Sequence, residues 1–199
     1  MSDPLAPVLA ALGRPGRPSS DYDLNPEFKL PEGRKLRPAG VLVAFEVTQD
    51  GARLYLTKRA SHLKHHPGQI AFPGGKVDPD DAGPIGAALR EAHEEIGLPS
   101  ENVTILGELE PHETVTGFWV TPVLAQIHRP FAPIPEPGEV DEVFTVPLTH
   151  IANPSSFRVE RRRWRGMWRS YYVAPFGPYY IWGATARMLR ALSDRMGDA

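Results

Sequence analysis

One segment constrains the fold of this 199-residue chain more than any other. Pro84–Ile96 reads PIGAALREAHEEI, and Ile85, Ala88, Leu89, Ala92 and Ile96 recur at helical spacing, which predicts a helix with one apolar face. Proline suits the first helical turn, where its missing N–H has no intrahelical partner to lose. Asp80 and Asp81 lie just before the positive end of the helix. Gly97 follows as a left-handed cap residue, and Leu98-Pro99 ends the run. The apolar face has to be covered by the rest of the chain.

Most of what surrounds this helix reads as strand. Gly40–Val47 and Ala52–Thr57 flank Gln49-Asp50-Gly51 and predict a β-hairpin. Ile70–Phe72, Val103–Leu109, Trp119–Ile127 and Val143–Val146 are further candidate strands. Phe157–Trp164 and Trp168–Val173 predict a second hairpin about Arg165-Gly166. Residues 4–12 suggest a short helix, and Gly13–Arg37 reads as an extended arm. Gly183–Met196 closes the chain as a helix, with Ala186, Leu189 and Leu192 spaced for burial. Strands outnumber helices, and the helices are separated by several strands. The pattern favours an α/β fold with a mixed sheet and flanking helices over regular βαβ alternation. We divide the chain into an N-terminal arm, 1–35, and one domain, 36–199. The 22 prolines and 18 glycines then punctuate a globular fold, and Pro130–Gly138 is a Pro-rich loop within it.

The chain has no cysteine, so thiolate metal sites, iron–sulfur clusters, disulfides and a cysteine nucleophile are excluded. No apolar run approaches the roughly 20 residues of a membrane span. The N-terminus lacks the basic lead of a signal peptide, and a cytoplasmic location is the expectation. The formal net charge of −2 suggests no nucleic-acid partner, but it averages two opposed blocks. Asp78–Glu142 holds fourteen acids against two bases, Arg90 and Arg129, whereas Pro154–Ala199 holds nine arginines against three acids. Such blocks suit a cation site in one region and an anion-attracting surface in another.

The helix concentrates the acids. Glu91 stands three residues before Glu94 and four before Glu95, opposite the apolar stripe, and like charges at this spacing repel. Arg90 can offset part of this by pairing with Glu94 one turn on. Shortly before the helix comes the glycine-rich turn Phe72-Pro73-Gly74-Gly75. Oxygen ligands at helical spacing, with a backbone carbonyl from such a turn, are what Mg²⁺ or Mn²⁺ takes.

Arg90-Glu91-Ala92-His93-Glu94-Glu95-Ile96-Gly97-Leu98 resembles the second half of the Nudix box, R-E-U-x-E-E-x-G-U with U aliphatic. In strict register, the box's earlier glycine and glutamate fall on Lys76 and Ala82. With one inserted residue they fall on Gly75 and Asp81. Upstream, Leu56 to Gly75 (LTKRASHLKHHPGQIAFPGG) is similar to the signature of coenzyme A pyrophosphatases, with Ala60 for the usual Ser and Lys64 for the usual Arg. The inserted residue is also usual in that subfamily. Ile181-Trp182-Gly183-Ala184-Thr185-Ala186 resembles its last strand-to-helix junction, so the resemblance spans about residues 36–195.

The resemblance implies a Nudix-type α/β/α sandwich with a mixed β-sheet. It also implies Mg²⁺- or Mn²⁺-dependent hydrolysis of a diphosphate, most specifically of coenzyme A or a derivative to 4′-phosphopantetheine and adenosine 3′,5′-bisphosphate. The alternatives are another Nudix specificity (ADP-ribose, dinucleotides, nucleoside triphosphates) or a non-catalytic nucleotide- or RNA-binding module. Carried onto this chain, Glu91, Glu95 and Glu94 are the metal-ligand candidates, with the Gly75 carbonyl as helper. Arg90 orients the glutamates. The general-base candidates are Glu91 itself and, on a later loop, Glu139 and Glu142. Arg59 and Lys64 are the substrate-binding candidates. His65 and His66 could contact a phosphate, and Phe118 and Trp119 could stack on a base. Many proteins of this family dimerise, which makes a homodimer an expectation. Arg158–Arg169, with arginines interleaved with aromatics, has the composition of a nucleic-acid surface, but strand alternation favours a charged hairpin, which is also a candidate face for a partner subunit.

Overall fold

The structure, a computed structural model, describes residues 3–28, 33–164 and 166–197. Its elements follow in the order α1 (Ala6–Leu12), β1 (Ser19–Ser20), β2 (Arg37–Thr48), β3 (Gly51–Arg59), β4 (Ile70–Ala71), β5 (Gly74–Lys76) and α2 (Gly83–Ile96). After them come β6 (Val103–Glu108), β7 (His112–Glu113), β8 (Phe118–Ile127), β9 (Val140–Pro147), α3 (Leu148–Ala152), β10 (Arg158–Trp164), β11 (Met167–Val173) and α4 (Gly183–Gly197).

The centre is a pair of long strands, β2 and β8, running parallel with Val41 opposite Pro122 and Ala44 opposite Ala125. Both are apolar on consecutive residues because both faces of the sheet are covered. Val43 and Phe45 of β2, Leu54 and Leu56 of β3 and Leu124 of β8 point to one core, shared with α1, α3 and α4. Leu42, Ala44, Tyr55, Val123 and Ala125 point to the other, shared with Ala88, Ala92 and Ile96 of α2. One sheet between α2 and the remaining helices is the α/β/α sandwich. It is mixed: β3 and β5 join β2 antiparallel, β6 and β7 join β8 antiparallel, and β9 joins the far side of β3. Strands β10 and β11 form a separate two-stranded hairpin.

The structure corrects several sequence expectations. The glycine-rich segment read as a turn is a strand, β5, with Gly75 registered against Gly40 of β2. A Cβ at Gly40 would lie 1.9 Å from the Pro84 carbonyl oxygen, so the bare glycine is what lets the start of α2 lie directly on the sheet. Short strands β1 and β7 were not expected; they pair with each other in parallel and bring the arm to the sheet. Helix α3 was not expected either. The segment 1–35 also contributes to the core: Leu5, just before α1, and Val8 and Ala11 within it are 0–2% exposed. The turn at Arg165-Gly166 lies partly outside the described residues. Among these, no helix is long and apolar enough to cross a membrane.

Candidate active site

Helix α2 ends as its sequence requires. Gly97 adopts φ 69°, and its N–H reaches the carbonyl of His93 at 2.9 Å while Leu98 N–H reaches that of Ala92 at 3.3 Å. This closure leaves the carbonyls of Glu95 and Ile96 for another partner. The Pro-rich loop takes both: Ile134 N–H donates to Ile96 at 2.9 Å and Glu136 N–H to Glu95 at 2.9 Å. Anchored there, the loop turns back through a bond from Val140 N–H to the Glu136 carbonyl (2.8 Å) and carries Glu139 over the helix. On its other side, Ala60 N–H donates to the Glu139 carbonyl at 2.8 Å.

Glu91, Glu95 and Glu139 thereby converge, with one carboxylate oxygen from each lying within 4.8 Å of the others. Glu95 does not share the solvent face on which the helical spacing placed it. It is 4% exposed, turned toward the sheet, and accepts a bond from Gly74 N–H at 3.3 Å. Arg59 lies 3.9 Å from its other oxygen. Burial, and then the charge of Glu91, push the Glu95 carboxyl up to about 8, against the opposing pull of Gly74 and Arg59. Glu91 is half-buried and raised for the same first reason, partly offset by Arg90. Gly75 faces Glu91 so closely that a Cβ there would lie 2.2 Å from Glu91 Oε1.

Arg90 holds the assembly from outside. Its Nε and Nη2 grip Asp81 at 3.0 and 2.9 Å, and its Nη1 reaches Glu91 at 2.9 Å and Glu94 at 3.2 Å. The Arg90 hydrogen bond holds the Asp81 carboxyl below its usual range. Gly75 faces Glu91 and Asp81 pairs with Arg90, while the Lys76 carbonyl also accepts from Arg90 Nη2 at 3.2 Å and Ala82 is the helix N-cap. Of the other sequence candidates, Glu94 is exposed, paired with Arg90 and outside the cluster. Glu142 lies on β9, where its carboxylate accepts from the Tyr179 hydroxyl, whose pKa rises in consequence.

Beside the cluster opens a cavity of about 700 Å³, and Arg59 and Gly74, both in contact with Glu95, line it. Arg59 is aimed there by an irregularity in the β3–β9 pairing between Lys58 and Arg59. Gln69, His66, Trp182 and Thr185 also line the cavity. His66 adopts φ 55°, and burial, then the charge of Arg59, lower its pKa. Lys64 is exposed and outside the cavity wall; Phe118, whose ring carries the Arg37 guanidinium at 4.0 Å, and Trp119 are part-buried and also outside it.

Sequence reasoning missed the arm and the second hairpin as cavity walls. Asp21 of the arm accepts from Val115 N–H at 2.8 Å and lies 3.2 Å from His112 Nε2, whose Nδ1 lies 2.9 Å from Ser19 Oγ. Arg162, Arg169 and Tyr171 of the hairpin complete the wall. No local pattern announces either, because both reach the site by tertiary packing.

The residues present fit a divalent cation. Burial, and then repulsion among the three carboxylates, makes Glu95 resist ionisation, and a hard cation is a partner that lets all three ionise together. An α/β/α sandwich whose helix carries two of three clustered carboxylates, beside a glycine-containing strand and an arginine-lined cavity, is an arrangement suited to hydrolysis of phosphate anhydrides. The comparisons make the assignment specific. Residues 36–165 match the NUDIX domain family. A Nudix hydrolase named NudL from Enterobacter sp. (strain 638) is 43% identical over 161 residues, covering 81% of this chain and 83% of that one. The NudL of Cronobacter sakazakii is 40% identical over 162 residues, covering 81% and 84%. Among solved structures, a Nudix hydrolase from M. smegmatis, RenU, is similar with TM-score 0.50 and 28% identity, covering 58% of this chain and 73% of that one. The chain belongs to the Nudix hydrolase family.

Proposed function

We propose that the chain cleaves the diphosphate linkage of coenzyme A or a derivative, releasing 4′-phosphopantetheine and adenosine 3′,5′-bisphosphate. The observation that carries this reading is the position of the upstream signature. Arg59, Gln69, Phe72 and Gly74, from the segment that resembles coenzyme A pyrophosphatases, line the cavity that abuts Glu95. A generic Nudix hydrolase needs the carboxylates; it does not need this segment folded over them.

In this reading Glu91 and Glu95 hold Mg²⁺ or Mn²⁺. When bound, such an ion polarises phosphate oxygens and lowers the pKa of water. Arg90 fixes Glu91, and Gly74 N–H fixes Glu95, so the carboxylates need no rearrangement as charge develops. Glu139, within 4.8 Å of both and carried by a loop rather than by the helix, takes the proton of the attacking water. The water oxygen bonds to phosphorus, the bridging P–O bond breaks, and the second phosphate leaves on that oxygen. Arg59 sits where it can neutralise diphosphate oxygens.

The test is to incubate the protein with coenzyme A, ADP-ribose, dinucleotides and nucleoside triphosphates in Mg²⁺ or Mn²⁺ and identify the products. Adenosine 3′,5′-bisphosphate from coenzyme A is expected. Turnover of another substrate without it rejects the coenzyme A reading. No turnover of any, with nucleotide binding retained, favours a binding module.

A further inference from the structure

The proposed reaction makes no use of Asp21. Among the described residues that line the cavity it is the one carboxylate, and it shares that lining with Arg59, Arg162 and Arg169. A cavity that takes a diphosphate gains from guanidiniums and loses from a carboxylate, which repels phosphate. A carboxylate shut in by a bound ligand also gives up its water, a cost that only a hydrogen-bond donor offsets.

Part of what Asp21 does is local. One oxygen accepts from Val115 N–H at 2.8 Å, and the other lies 3.2 Å from His112 Nε2. A carboxylate only accepts, so His112 Nε2 carries a proton; in the neutral ring Nδ1 is then the acceptor of the Ser19 hydroxyl at 2.9 Å. His112 is 0% exposed, and the chain Ser19–His112–Asp21 fastens the arm to β7 away from water. Each Asp21 oxygen takes one such donor among the described residues, yet a carboxylate oxygen has about two acceptor sites. Fastening the arm therefore uses half of the capacity of a side chain that lines the cavity.

The surroundings say what the other half meets. Asp21, Tyr171 and Gly183 also border a second, narrow crevice, so the carboxylate adjoins the wall where Tyr171 and Trp182 meet edge to face at 5.4 Å. Burial and Arg59 lower the His66 pKa, and the charge of Asp21 opposes them, which places Asp21 within electrostatic reach of the ring beside Arg59. The cavity thus passes from Glu95 through Arg59 and His66 to Asp21 and two aromatic rings. Phosphate suits the first end. A flat, uncharged group that carries hydroxyls suits the second.

We propose that Asp21 is a specificity-determining residue that accepts a hydrogen bond from a ribose hydroxyl of the substrate, with the base against Tyr171 and Trp182. The substrate class is a ribonucleoside diphosphate derivative whose sugar hydroxyl is read by the N-terminal arm. This rests on the reading that the cavity holds a nucleoside diphosphate, and not on which derivative it is.

Asp21→Asn is the informative variant because the network can reverse around it. The new amide donates to His112 Nε2, the ring proton moves to Nδ1, the Ser19 hydroxyl accepts, and the amide oxygen keeps the Val115 bond. The arm stays fastened while the cavity loses a charged acceptor. Calorimetry in Mg²⁺ compares ADP, 2′,3′-dideoxy-ADP and inorganic pyrophosphate. The wild type is expected to prefer ADP to the dideoxy compound by about tenfold, the scale of one hydrogen bond to a charged group. Asp21→Asn should remove that preference and leave pyrophosphate binding equal or tighter. No preference in the wild type, or a preference that survives the substitution, overturns the proposal. Equal weakening of all three ligands means that Asp21 only supports the wall, and tighter binding of all three means that only its charge matters; both overturn it. Pyrophosphate binding without ADP binding in the wild type rejects the nucleoside reading itself, and the role of Asp21 falls with it.

Discussion

The acidic and the basic regions of this protein both crowd like charges together, and they are built in opposite ways. The glutamates stand on a 14-residue helix pressed onto the central strands, beside β5, where bare glycines allow backbone contact. The arginines stand on a two-stranded hairpin outside the main sheet, whose contacts with the rest of the chain include Asn25 at Ser170 and Trp182 at Val173 and Tyr171. The first arrangement has almost no freedom to adjust, which suits groups that must meet a metal and a phosphorus atom in fixed geometry. The second is tied to the core through Tyr172 and Val173, while its arginines stand away from it.

The largest effect that can break this contrast is expected at Glu95. Glu95→Gln keeps an acceptor for Gly74 N–H but removes one charge from the cluster. Activity should fall by about two to three orders of magnitude. The metal-free protein should melt at the same temperature as wild type or higher, because burial already disfavours a charge at this position and glutamine carries none. Initial rates and thermal melts read the two quantities separately. Near-wild-type turnover would remove Glu95 from the catalytic machinery.

Gly75→Ala comes next. Its new methyl would occupy the position 2.2 Å from Glu91 Oε1, so the carboxylate has to move while its charge stays. A displacement of about 1 Å in a positioned group costs on the order of 100-fold in rate. Steady-state kinetics should show this fall in kcat with little change in circular dichroism. A rate within twofold of wild type would mean that Glu91 does not need this exact seat.

On the basic side, Asn25→Ala removes the two-way link to Ser170 and leaves its backbone groups to find water. Loss of a buried hydrogen-bonded amide costs about 1–3 kcal/mol. Urea unfolding should show that loss, and hydrogen exchange should localise it to β11. Substrate selectivity should change more than kcat if the hairpin acts in recognition.

Sequence and structure agree where the physics is local and part where it is not. The spacing of Ala88, Ala92 and Ile96, the left-handed Gly97 and the hairpin at Gln49-Asp50-Gly51 are decided by residues within a turn or two of one another, and all were legible. Glu95 was not. Helical periodicity grouped it with Glu94, but the approach of β5 buries one and leaves the other exposed. Gly74–Lys76 looked like a turn because glycine tolerates turns; what makes it a strand is Gly40 facing it across β2. Arg162 and Arg169 read as part of a charged hairpin, but strand alternation alone cannot say which face of a hairpin meets a cavity.

The smallest expected effect returns to the acidic region. Asp81 lies where Arg90 can hold it, and that hydrogen bond lowers its carboxyl below the ordinary aspartate value. A folded-state pKa below the unfolded one adds stability that is present above the unfolded value, near pH 4, and is lost as pH falls through the folded one. Melting temperatures of the wild type should therefore decline more steeply below pH 4 than those of Asp81→Asn. At neutral pH Asp81→Asn should be the less stable of the two, because Arg90 loses this charged partner. It should also slow turnover modestly, since Arg90 loses the anchor from which it orients Glu91. Identical acid profiles for the two proteins would show that Arg90 is held by the glutamates alone, and the acidic region would then depend on its helix more than on the loop before it.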